Sequence, residues 1–124
     1  MVDKDRRRDF RFKCTGRADV LLAADTPSLP AKIVDVSRGG CLIVLHKSQT
    51  LVPNATAELT FNVNHLHFRV PGQVAAIRSE TTVGFRFTSL SERTRRQLEE
   101  LIAELDAEWR KRFAAHRWYA EDFE

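Results

Sequence analysis

Five basic side chains crowd the nine residues "KDRRRDFRF" at positions 4–12, and three of them, Arg7, Arg8 and Arg11, have the spacing RRxxR. Like charges this close repel one another, so the stretch adds nothing to fold stability by itself. It is either a solvated tail or a site for an anion. Arginine sharpens the second reading. Its planar fork meets phosphate with two parallel hydrogen bonds and its flat face stacks on rings, which lysine cannot match. A second group stands at "DVSRGG", where Asp35, Ser37 and Gly40 have the spacing DxSxxG. Asp35 is an acceptor-only carboxylate at neutral pH, and Ser37 can donate or accept. Gly40 can take a positive φ or let a ligand approach the backbone. Each group alone also has a plain structural reading: a hydrated arm, and a tight turn fixed by local hydrogen bonds.

Short strands must position these residues. From Arg17 to Phe87 apolar runs alternate with turn residues. Ala18 to Ala24, Lys32 to Val36 and Cys41 to His46 are three such runs, the last two divided by "SRGG" as paired strands would be. Leu59, Phe61 and Val63 alternate with polar residues, as do Leu66, Phe68 and Val70. Pro71-Gly72 interrupts, Gln73 to Arg78 resumes, and Val83, Phe85 and Phe87 close the series. Six or seven strands with frequent turns imply a small antiparallel barrel or sandwich. After Phe87 the period becomes helical. Ser89 and Glu92 have capping-box spacing, and Leu98, Leu101, Ile102, Leu105, Trp109 and Phe113 share one face. That face covers a barrel mouth, and its far end near Trp118 and Tyr119 offers apolar surface for self-association or a partner. The expected organisation is a basic arm over 1–13, the β-unit over 14–88, a helix over 89–116 and a tail over 117–124.

Composition narrows the function. The chain has 124 residues and a net charge of +3, with 43% hydrophobic and 30% charged residues, values ordinary for one globular domain. Seven basic residues against Asp5 and Asp9 give residues 4–17 a local +5, so the positive field belongs to the arm. That favours a localised anionic partner over a chain-wide nucleic-acid coat. The apolar runs are too short for a membrane span, and the opening residues lack the apolar segment of a secretory leader, so a cytoplasmic protein is expected. Cys14 and Cys41 make no disulfide framework and read as reduced thiols. His65 and His67 share a strand face, but without further ligands nearby in sequence they read as polar surface, and no metal is expected. No nucleophile–base pair or phosphate-cradling glycine loop occurs, so the chain is not expected to be an enzyme.

Taken together and in this order, RRxxR and DxSxxG resemble the motifs of the PilZ domain family, bacterial receptors for the second messenger cyclic di-GMP. "LVPNATAELTF" and "GFRF" are similar to that family's approach to a middle strand and its closing strand. The resemblance spans about residues 6–115, with no departure at the motif positions. It implies a six-stranded antiparallel β-barrel with a C-terminal α-helix, carrying DxSxxG on its surface and RRxxR on a flexible segment before it. It further implies that Arg7, Arg8 and Arg11 clamp cyclic di-GMP while Asp35, Ser37 and Gly40 meet it from the barrel, with Arg6, Arg38 and Gly39 as lesser contributors. A basic residue at position 6 leans toward binding an intercalated ligand pair. The chemistry agrees: guanine offers O6 and N7 to an arginine fork, and its N1–H and N2–H need an acceptor such as Asp35. The implied protein is a standalone bacterial regulator, monomer or homodimer, that signals to a downstream protein and needs no cofactor. The competing readings are a basic nucleic-acid-binding barrel and a structural adaptor that binds no ligand.

Overall fold

Along residues 57–63 the side chains of Ala57, Leu59, Phe61 and Val63 turn inward, while Glu58, Thr60 and Asn62 turn toward solvent. That period of two, repeated on strand after strand, makes a sheet with one face to bury. The structure, a computed structural model, describes residues 10–115, with side chains through Arg112. Its strands are β1 (Phe12–Leu21), β2 (Leu29–Val36), β3 (Gly40–Leu45), β4 (Thr56–Val63), β5 (Leu66–Ile77) and β6 (Thr82–Phe87), followed by one helix, α1 (Glu92–Ala115). All neighbours are antiparallel, and the six strands close into a barrel in the order β1-β2-β3-β6-β5-β4, with β4 returning to β1. Closure leaves no unpaired sheet edge. This decides between barrel and sandwich.

The barrel interior holds Val20, Ile33, Ile43, Leu59, Phe61, Phe68, Val74 and Val83, each at most 1% exposed. Phe61 and Phe68 stand opposite each other on β4 and β5 with ring centroids 4.9 Å apart. Fully burying such a side chain contributes roughly 1.5–3 kcal/mol. From α1, Leu98, Leu101, Ile102 and Leu105 join the same core, against β1 and β5.

The strands depart from the sequence reading at several boundaries: β1 ends at Leu21 rather than Ala24, β2 begins at Leu29 rather than Lys32, and two departures are larger. β1 begins at Phe12, six residues before Ala18, so Phe12 and Lys13 pair with Val36 and Asp35 on β2. Gly16 and a register shift between Lys13 and Gly16 hide this segment from a periodicity test. A Cβ at Gly16 would lie 1.7 Å from the Asn62 carbonyl oxygen, so that close crossing admits only glycine. β5, for its part, runs through Pro71-Gly72 rather than stopping there. The Pro71 carbonyl accepts from Thr88 N–H at 3.1 Å, so Pro71's backbone polar side faces β6 just beyond that strand's end. Its missing N–H therefore removes no ladder bond.

The helix also starts later than the sequence implies. Ser91, not Ser89, caps it: the Thr94 N–H donates to Ser91 Oγ at 3.1 Å, and the Ser91 carbonyl accepts from Arg95 N–H at 2.8 Å. Ser91→Ala should lower unfolding free energy by about 1 kcal/mol, read as a shifted urea midpoint with unchanged slope. Trp109 leaves the expected core face and is 52% exposed, because the barrel mouth ends beneath Leu105. Phe113, Trp118 and Tyr119 lie outside the described side chains.

Candidate functional site

The two groups of polar residues meet at one end of β2. Asp35 lies next to the last residue of that strand, Ser37 to Gly39 make the turn, and Gly40 opens β3. Asp35 stands opposite Lys13 on β1 and Leu42 on β3. Its Oδ1 accepts from Arg11 Nη1 at 3.1 Å, in a pair whose side chains are 17% and 45% exposed respectively. Arg11 is the last arginine of RRxxR; Arg6, Arg7 and Arg8 lie outside the described residues. The structure thus brings one member of each motif into contact on the barrel surface.

Ser37 does something different from what its chemistry alone suggests. Buried at 4% exposure, its Oγ accepts from Gly39 N–H at 3.3 Å and donates to the Gly40 carbonyl at 3.4 Å. Its own N–H donates to the same carbonyl at 2.8 Å. The hydroxyl therefore holds the turn that displays Asp35 and Arg38. Gly40 does not use a positive φ; among the described residues no glycine does. A Cβ there would fall 2.1 Å from the Phe85 carbonyl oxygen, so the glycine is what lets β3 approach β6. Gly39, exposed beside it, accepts from Phe87 N–H at 2.8 Å and so ties the turn to β6.

Arg38 reaches from the turn to the helix. Its Nε donates to Glu99 Oε2 on α1 at 2.8 Å. That hydrogen bond draws the Glu99 carboxyl below its ordinary range and holds the Arg38 guanidinium above its own. The hairpin tip and the helix are thereby joined by one charged contact, which no sequence spacing announces. Below the tip sit the two cysteines. Burial, with the Asp35 charge adding to it, pushes the Cys14 thiol up to about 12 and raises Cys41 as well. Both remain thiols at neutral pH and are poor nucleophiles.

The histidines do not act as the pair their spacing allows. His67 Nδ1 lies 2.6 Å from Asn62 Oδ1, whereas His65 turns toward α1 with Nε2 3.8 Å from Glu104 Oε2. Glu104 also accepts from Asn64 Nδ2 at 2.9 Å, and Glu100 completes an exposed polar group around the β4–β5 turn. Helix α1 supplies both carboxylates from about 35 residues away, which is why the sequence reading found none beside the histidines.

The barrel is closed, carries Asp35 at its hairpin tip beside Arg11 in the lead-in to β1, and has a helix packed across one mouth. The PilZ domain model matches residues 5–104, and the chain belongs to that family. It is similar in fold to the PilZ domain with c-di-GMP of YcgR from Escherichia coli, at 24% identity and TM-score 0.65, over 86% of this chain and 96% of that one. YcgR in complex with c-di-GMP from the same organism matches at 28% identity and TM-score 0.67, over 89% of this chain and 50% of that one. The Bacillus subtilis inhibitor of motility, MotI/DgrA, has 12% identity and TM-score 0.69, over 83% of this chain and 52% of its own. This chain therefore spans about half the length of those two proteins. No curated protein sequence gave a significant match. Among the described residues no helix is long and apolar enough to cross a membrane.

Proposed function

We propose that this protein is a receptor for cyclic di-GMP, with Arg7, Arg8 and Arg11 clamping the ligand against Asp35, and that it reports binding to another protein. The observation that supports the reading is the 3.1 Å contact between Arg11, the last arginine of RRxxR, and Asp35, the acidic residue of DxSxxG. The YcgR structures to which the chain is similar are described with c-di-GMP, and the family membership supports carrying that ligand over. Asp35 accepts from the guanine N1–H and N2–H; a carboxylate has lone pairs enough to keep Arg11 as well. The arginines supply base-edge, phosphate and stacking contacts, with Arg6 and Arg38 in lesser roles and Gly39 giving the ligand room. Ser37 contributes by holding the turn. The protein signals rather than catalyses.

Ligand binding orders the arm over the barrel. Fixing each residue costs about 1–2 kcal/mol of chain entropy. Several hydrogen bonds to charged groups, each roughly 1.5–3 kcal/mol, must together exceed the cost summed over the ordered residues. The disorder-to-order change is the signal passed on. Titration calorimetry should give saturable binding to cyclic di-GMP and at least tenfold weaker binding to its adenine analogue. Arg7→Ala and Arg8→Ala should each weaken binding at least tenfold, about 1.4 kcal/mol. Wild-type affinity in both variants would remove the arm from the site. Steeply salt-dependent binding to DNA, without dinucleotide binding, would replace this reading with the nucleic-acid one.

A further inference from the structure

Phe10 and Trp109 are the two exposed large aromatic side chains among the described residues, at 53% and 52% exposure. They are not scattered. Both line two adjoining clefts of about 510 and 490 Å³ between the lead-in to β1 and the outer turns of α1, and Phe12 lines both as well. Phe10 and Phe12 stand edge to face with ring centroids 4.9 Å apart. An aromatic cleft of this volume has the size and wall chemistry of a small-ligand site.

We propose that Trp109 of α1, with Phe10 lining the same clefts, is a stacking wall for a purine base of the bound cyclic dinucleotide. The inference rests on the receptor reading and adds to it a residue from the helix, which neither motif contains. Two observations choose a nucleotide as the occupant. First, both motifs run into the cleft through positions their patterns leave free: Phe10 lies inside RRxxR, and Arg38 inside DxSxxG lines the second cleft beside Trp109. Second, the side chains fit: among the described residues Arg11, Lys13 and Arg112 line the first cleft together with Glu108, and cationic groups of this kind suit a phosphodiester next to a neutral ring. Aromatic faces take any base, so Trp109 supplies affinity while Asp35 supplies the preference for guanine. A base held against Trp109 also touches the element that Arg38 ties to the hairpin tip through Glu99, giving α1 direct knowledge of ligand occupancy.

The test uses the full chain. Trp118→Phe leaves Trp109 as the only tryptophan. Titrating that variant with cyclic di-GMP should change Trp109 emission saturably and shield it from acrylamide, with the midpoint found by calorimetry. Trp109→Ala should weaken binding about tenfold, Trp109→Leu nearly as much, and Trp109→Phe less than threefold, since only the last keeps a stacking face. The leucine variant retains apolar bulk, so its loss separates stacking from packing. Calorimetric binding with unchanged Trp109 emission, or wild-type affinity in the alanine variant, overturns the inference and leaves the receptor reading intact. No calorimetric binding by the wild-type protein overturns both.

Discussion

Gly40→Ala lowers the stability of the barrel by about 3 kcal/mol, near the upper end of what overpacking costs. The expected thermal midpoint falls by roughly 10 °C or more. The reason is local. A Cβ at position 40 meets the Phe85 carbonyl oxygen at 2.1 Å, and that oxygen belongs to a backbone paired across the barrel. A flexible side chain could swing away from such a contact, but a paired strand cannot. β3 and β6 must separate, and the Ser37–Gly40 hydrogen bonds that shape the turn weaken with them. Gly39→Ala is the control: exposed and outside the left-handed region, it should change stability by less than about 0.5 kcal/mol. Equal losses in both variants, measured by thermal unfolding, would contradict the close-approach account of Gly40.

Asp35→Ala has the opposite profile. Cyclic di-GMP affinity should fall at least tenfold, a loss of about 1.4 kcal/mol or more, while stability changes by less than about 1 kcal/mol. Asp35 makes its ion pair at the surface with a half-exposed arginine, where Coulomb energy is screened. In the proposed receptor its value lies in what it offers the ligand. Guanine's N1–H and N2–H lose their acceptor when the carboxylate goes, and each hydrogen bond to a charged group is worth roughly 1.5–3 kcal/mol. Asp35→Asn restores one acceptor but adds two donors facing guanine's own, so its affinity should lie between the two. Calorimetry reads the affinity and urea unfolding the stability. A fully stable Asp35→Ala protein with wild-type affinity would place the ligand elsewhere.

Much of the architecture was legible because barrels advertise themselves. Alternation at Leu59, Phe61, Val63 and at Leu66, Phe68, Val70 survives in the fold as buried and exposed faces. The "SRGG" connection joins paired strands, β2 and β3, as its residue types imply. What escaped was set by contacts remote in sequence. β1 begins early because Gly16 lies against the Asn62 carbonyl, a neighbour no local pattern contains. Pro71 continues a strand because β6 stops beside it. Trp109 has the right phase for the core yet lies past the mouth that would bury it, and phase alone does not carry that length. At the site, residue chemistry pointed to Asp35 and Arg11, and the structure pairs them. It did not reveal that Ser37 is consumed by its own turn, nor that Arg38 reaches Glu99, because both depend on where the chain folds back.

In the proposed receptor the arm and the hairpin tip form one binding surface, and a ¹⁵N-resolved NMR titration with cyclic di-GMP tests that most directly. The backbone amides of Arg11, Asp35, Ser37, Gly39 and Gly40 should shift together and saturate at one ligand concentration, with the amides of Arg7 and Arg8 following the same curve. Saturable shifts confined to other parts of the barrel, or amides at positions 35–40 that stay still while the ligand binds, would contradict it.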